Sequence, residues 1–186
     1  FPYMVLGGAA AGFWGRERAT VDVDVTVWVD AKREEAVVAE LCRRYTPLVA
    51  DPQGHVKRRF VLPLRVSNGM DVDLVFGRLP FERRWIRQAR EVDIPGGRVR
   101  VCSPEHLILQ KLVADRPRDR EDLQAVIREQ GPTLNRRYLN REVRQLAEAL
   151  SRPEMWSFYQ ACMKDAGRKR NVCRAAGSPD HGTGGA

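Results

Sequence analysis

Apolar and polar positions change period several times along the chain, and each change marks an element. Residues 3–6 (YMVL) read as a short buried strand. The small residues of GGAAAG then permit a tight turn into a short helix through Trp14, and residues 16–20 form a polar link. Residues 21–29 alternate with period two, the signature of a strand. AKREEAVVAELCRRY has helical spacing through Ala36, Val37, Glu40 and Leu41, with Asp30 placed as its N-cap. Residues 46–58 read as loop, marked by Pro47, Pro52 and Gly54. RRFVLPLRV and DVDLVFG flank Asn68-Gly69, the preferred pair for a type I′ hairpin turn, and Pro63 assigns the first of these strands to an edge or a bulge. PFERRWIRQARE follows as a helix, and a second hairpin turns at Pro95-Gly96-Gly97.

The second half of the chain is helical. Ser103 caps a strongly apolar helix (EHLILQKLVAD) with Pro104 at its first position. RDREDLQAVIREQ ends at Gly131-Pro132, and helical patterns return at about 135–150 and 153–166. The expected fold is therefore α/β (α+β): a small mixed β-sheet core with packed helices over residues 1–130, and a helical extension over 131–166. A disordered, basic and Gly-rich tail is expected over 167–186.

Composition narrows the class. Hydrophobic residues make up 43% of the 186, which excludes wholesale disorder. No apolar run approaches the roughly 20 residues of a membrane span, and the expectation is a cytoplasmic chain without a membrane partner. Phe1 opens the sequence directly on a strand pattern, which points to a chain truncated at its N-terminus. Cys42, Cys102, Cys162 and Cys173 lack zinc-site spacing and read as free thiols. The net charge of +8 suggests a polyanionic partner. Arg168, Lys169, Arg170 and Arg174 place part of that excess in the tail, and the rest belongs to the body.

Carboxylates on a strand carry the chemistry. Asp22 and Asp24 lie at i and i+2 and project from one face, while Val21, Val23 and Val25 point to the other, toward a core. Like charges side by side repel, and a divalent cation with hard oxygen ligands relieves them. A strand with one wet face is the simpler alternative. A second pair, Asp71 and Asp73, repeats the spacing in the later hairpin. Three carboxylates at one point would make a two-metal site. Asp73 is favoured as the third because Asp71 sits beside the turn. Gly7-Gly8 before a helix could admit an anion to the helix N-terminus, or form only a tight turn. Neither a P-loop nor a dinucleotide-binding glycine motif is present.

VLGGAAAGFWGRERATVDVDVTV resembles the signature of the DNA polymerase beta-type nucleotidyltransferase superfamily, and most closely its minimal bacterial branch related to AbiEii-type toxins. VDLVFG resembles the strand of the third carboxylate, and SPEHLILQKLVADRPRDREDL the helical segment. The resemblance spans residues 3–127, and the segment after Gly131 matches no further motif. It implies transfer of a nucleoside monophosphate from an NTP to a hydroxyl, with Mg²⁺ (or Mn²⁺). Asp22, Asp24 and Asp73 would hold metal and serve catalysis. Gly7, Gly8, Arg18, Thr20 and Lys111 would bind nucleotide, with Arg116, Asp119 and Asp122 as supports. The same residues have simpler roles open to them: Lys111 could face solvent on an amphipathic helix, and Asp119 and Asp122 could simply favour a helix N-terminus. The implied acceptor is RNA such as tRNA, or protein, and the branch includes toxins with a cognate antitoxin. A non-catalytic nucleotide-binding or antitoxin-like module, and a small-molecule (aminoglycoside-type) transferase, are the alternatives.

Overall fold

The computed structural model describes the backbone of residues 1–15 and 20–176, with side chains as far as Arg168. The chain runs β1 (Tyr3–Val5), α1 (Gly7–Trp14), β2 (Asp22–Val27), a 3-10 turn (Ala31–Arg33), α2 (Glu34–Arg44), β3 (Thr46–Pro47), α3 (Pro52–Arg59), β4 (Val61–Arg65) and β5 (Asp71–Phe76). It continues with α4 (Pro80–Arg87), β6 (Arg90–Ile94), β7 (Gly97–Val101), α5 (Pro104–Ala114), α6 (Pro117–Gln130), α7 (Arg136–Ala149) and α8 (Pro153–Ala176). The strands form one mixed sheet in the order β3-β4-β5-β2-β1-β7-β6. The fold is thus a mixed α/β sheet with packed helices.

Period-two alternation decides which way each strand faces. Val25 and Val27 of β2 share a face with Leu74 and Phe76 of the parallel neighbour β5, and with Leu62 and Leu64 of β4. Val37, Val38 and Val56 from α2 and α3 close over that face as one core. A larger core joins β1 and β7 to α1, α5, α6, α7 and α8 around Leu107, Leu123, Leu139 and Tyr159. The caps expected at Asp30 and Ser103 both form: Asp30 accepts from Lys32 N–H and Ser103 from His106 N–H.

Four local expectations are corrected. Residues 46–58 are not loop: β3 pairs with β4, and α3 starts at Pro52 with Asp51 accepting from Gly54 N–H at 2.9 Å. The proline that read as a breaker occupies the first helical position, where its missing N–H costs nothing. The Asn68-Gly69 hairpin is not type I′, because Gly69 (φ +83°) has positive φ and Asn68 does not. Gly69 N–H donates to Val66, giving a three-residue loop in which glycine takes the left-handed position. Val21 precedes the strand and is 85% exposed rather than buried. Finally, α8 continues to Ala176, past the boundary expected at 166, because the helix-breaking Gly-Ser-Pro composition begins only at Gly177.

Candidate active site

Parallel pairing of β2 with β5 sets Asp22 beside Asp71 and Asp24 beside Asp73. Laterally paired residues of neighbouring strands share a face, so four aspartates project from one patch of sheet. They do not remain equivalent. Arg65 lies opposite Asp71 across the hairpin and donates to both of its oxygens, at 2.7 and 2.9 Å. That bidentate pair lowers the Asp71 carboxyl from its ordinary range. Among the described residues no ion pair reaches Asp22, Asp24 or Asp73.

Asp24 sits at the centre of this unpaired group. Burial raises its pKa first, and the charges of Asp22 and Asp73 raise it further. Lys111 and Arg116 pull in the opposite direction without cancelling the shift.

The turn into α1 presses against the same carboxylate. Leu6 N–H donates to the Asp24 carbonyl at 2.9 Å, and Gly7 follows with φ +62°. A Cβ on Gly7 would lie 1.8 Å from Asp24 Oδ2. Glycine is required here twice, by its backbone angle and by this close approach. No side chain caps the start of α1, so the N-terminal N–H groups from Gly7 and Gly8 onward open beside the acidic patch. Thr20 is half-buried just before β2, and Arg18 lies outside the described residues.

The helical segment forms a separate, closed cluster. Lys111 Nζ lies 2.7 Å from Asp119 Oδ1 and 2.9 Å from Asp122 Oδ2. All three residues are buried. Asp119 and Asp122 are one turn apart on α6 and face the last turn of α5, which delivers the lysine. Arg116 contributes its backbone N–H to Asp119 Oδ2 at 3.3 Å. Lys111 reaches both acids because its helix packs directly on α6. Arg65 was missed, although its place across the hairpin from Asp71 was readable once the loop was set.

The open patch has the hard oxygen donors that a divalent cation takes, crowded closely enough to disfavour their shared negative charge. Among the described residues no three or more His, Cys, Asp or Glu side chains are grouped so as to hold a metal ion by themselves. The carboxylate oxygens of Asp22, Asp24 and Asp73 are the donor type that suits such an ion, while the N–H groups after Gly7 suit an anion.

A mixed sheet bearing acids on adjacent strands, beside a glycine turn and a helix start, defines a nucleotidyltransferase-like protein. The chain belongs to the family described as nucleotidyl transferase of unknown function (DUF2204), which matches residues 59–155, and it is a nucleotidyltransferase. The matched segment contains Asp73, Lys111, Asp119 and Asp122. No curated protein matches the chain. Among solved structures it is similar to an antigenic nucleotidyltransferase-like protein from Paracoccidioides brasiliensis, at 21% identity over 86% of this chain and 84% of that one, with a TM-score of 0.48. It is also similar to the lincosamide antibiotic adenylyltransferase LnuA bound to lincomycin, at 16% identity over 67% and 84% of the two chains, with a TM-score of 0.46. The antibiotic-resistance factor ANT(2'')-Ia gives 13% identity over 94% and 88%, with a TM-score of 0.42. Among the described residues no helix is long and apolar enough to cross a membrane.

Proposed function

We propose that the protein transfers a nucleoside monophosphate from an NTP to a hydroxyl acceptor, using Asp22, Asp24 and Asp73 with Mg²⁺ or Mn²⁺. A bound cation would neutralise the developing charge on the phosphates. Asp22 and Asp24 of β2 and Asp73 of β5 would hold it. Asp73 also accepts the proton of the attacking hydroxyl. Gly7 and Gly8 offer the backbone N–H groups of the α1 N-terminus to the β- and γ-phosphates, which leave as pyrophosphate. Arg18 and Thr20 follow α1 in sequence and would contribute to nucleotide binding. Lys111 acts through its charge on Asp24, held in place by Asp119 and Asp122, and Arg116 adds to the same field.

One observation carries this reading: Asp24 is raised by burial and by Asp22 and Asp73 while Asp71, on the same face, is neutralised by Arg65. A purely structural acidic face would gain from pairing all four. The core over residues 1–130 houses the chemistry in this reading, and the helices from 131 onward contribute to acceptor binding. An AbiEii-like toxin acting on RNA or protein, paired with an antitoxin, remains an expectation from the resemblance, without support from a feature of the described site.

The test is label transfer from α-labelled NTPs in the presence of Mg²⁺, comparing wild type with Asp24→Ala. Loss of about 10³-fold in rate, equivalent to about 4 kcal/mol of transition-state stabilisation, is expected in the variant. Equal labelling by both proteins would sink the assignment.

A further inference from the structure

A cavity of about 570 Å³ opens between β1, α4, α5 and α7, within the range of small-molecule sites. Its floor is Met4 of β1 and Leu6, which follows that strand, and its aromatic wall is Phe81 and Trp85 of α4. Val113 of α5 and Leu146 of α7 complete the rim.

Sheet register places this cavity against the chemistry. Leu6 lies opposite Asp24 across the β1–β2 pair, through its 2.9 Å hydrogen bond, and Met4 lies opposite Thr26. Opposed residues in an antiparallel pair project from the same face. The cavity floor therefore shares its face with Asp24, about 5 Å away by strand spacing, and with Asp73 one strand further, about 10 Å away. A molecule seated on Met4 and Leu6 can extend a hydroxyl to the carboxylates.

The lining selects its chemistry. It is mainly apolar, and its charges do not favour a polyphosphate backbone: Arg84 stands against Glu82 and Glu142. Glu82 is already committed, accepting from Arg78 N–H and Leu79 N–H at the start of α4. Nucleic-acid grooves depend on excess Lys and Arg, which this cavity lacks. One polar atom is left over: Gln110 Oε1 is buried and has no hydrogen-bond partner among the described residues. A buried acceptor without a partner is costly, and a ligand donor would satisfy it.

We propose that this cavity is the acceptor site, and that the acceptor is a small, uncharged hydroxyl compound with an apolar body and a hydrogen-bond donor for Gln110. The inference rests on nucleotidyl transfer at Asp22, Asp24 and Asp73. The acceptor oxygen bonds to the α-phosphorus as the bond from that phosphorus to the β-bridging oxygen breaks. Pyrophosphate leaves with the electron pair, and the hydroxyl proton passes to Asp73.

The experiment uses 2-(2-naphthyl)ethanol as the probe acceptor and an RNA oligonucleotide as its competitor, each with labelled NTP and Mg²⁺. Binding of the probe is read separately by calorimetry. Val113→Trp fills the cavity from a position that is 43% exposed, so the fold tolerates it, and Gln110→Leu removes the amide. Leu48→Ala, on the far edge of the sheet, is the control. The expected result is transfer to the naphthyl alcohol, with its KM raised about tenfold, or 1.4 kcal/mol, by Val113→Trp. Gln110→Leu should act in the same direction, and Leu48→Ala should change nothing. Absence of saturable probe binding overturns the proposal. So does a rise in the KM for NTP alone, which would make the cavity a nucleobase seat, or labelling of RNA that ignores Val113→Trp. Failure of the underlying reading looks different: the probe binds and Val113→Trp weakens it, but no acceptor, water included, releases pyrophosphate.

Discussion

Two aspartate clusters lie within reach of each other's charge and are built on opposite principles. On α5 and α6, Asp119 and Asp122 close around Lys111 in a buried and compensated group. On β2 and β5, Asp22, Asp24 and Asp73 share a face and repel, and burial keeps the Asp24 carboxyl above its ordinary range. The first cluster satisfies its charges from within the chain. The second has no such cation within ion-pair distance among the described residues. Arg65 sharpens the lesson, because it pairs with Asp71 while, among the described residues, no ion pair reaches the other three acids. Aspartates alone do not define a site; their unmet demand for positive charge does.

The comparison breaks most easily at the closed cluster. Lys111→Met would leave two buried carboxylates without their cation, and a loss of about 3–5 kcal/mol in unfolding free energy is expected. Denaturant titration checks it, and a change below 1 kcal/mol would show that the cluster is not compensated by Lys111. The open cluster is next. Gly7→Ala forces a side chain into a backbone with φ +62° and onto Asp24 Oδ2. A stability loss of about 1–2 kcal/mol is expected from the backbone angle, with a larger proportional loss of transfer activity as the carboxylate is displaced. Unchanged activity at reduced stability would separate the glycine turn from the chemistry.

Much of this arrangement was legible in the chain. Period-two alternation gave β2 and β5, and the i, i+2 spacing put Asp22 with Asp24, and Asp71 with Asp73, on common faces. Caps at Asp30 and Ser103 followed from residue type. What was hidden is non-local. The pairing of β2 with β5 sets Asp24 beside Asp73, and a strand pattern carries no information about its neighbour. The packing of α5 on α6 brings Lys111 to Asp119 and Asp122, which helical spacing alone could not decide. Local misreadings had local causes: Pro52 marks both a loop and a first helical turn, and Asn-Gly serves more than one hairpin loop. The cavity over Met4 and Leu6 was invisible because its walls come from four separated elements.

The central claim is that the β2–β5 carboxylates await a cation, and thermal unfolding of wild type and Asp24→Asn with and without Mg²⁺ tests it most directly. Asp24 has a folded-state pKa above its unfolded value, so the native state binds the extra proton between the two. Stability therefore falls as pH rises through that window, and the penalty persists at neutral pH. Without Mg²⁺ at neutral pH, Asp24→Asn should be the more stable protein by about 0.5–1 kcal/mol, a small gain because solvent screens a half-buried group. Saturating Mg²⁺, at a hundredfold its dissociation constant, should stabilise wild type by about 2.7 kcal/mol and leave the variant nearly unmoved. Equal stabilisation of both proteins by Mg²⁺, or a metal-free variant less stable than wild type, would contradict the claim.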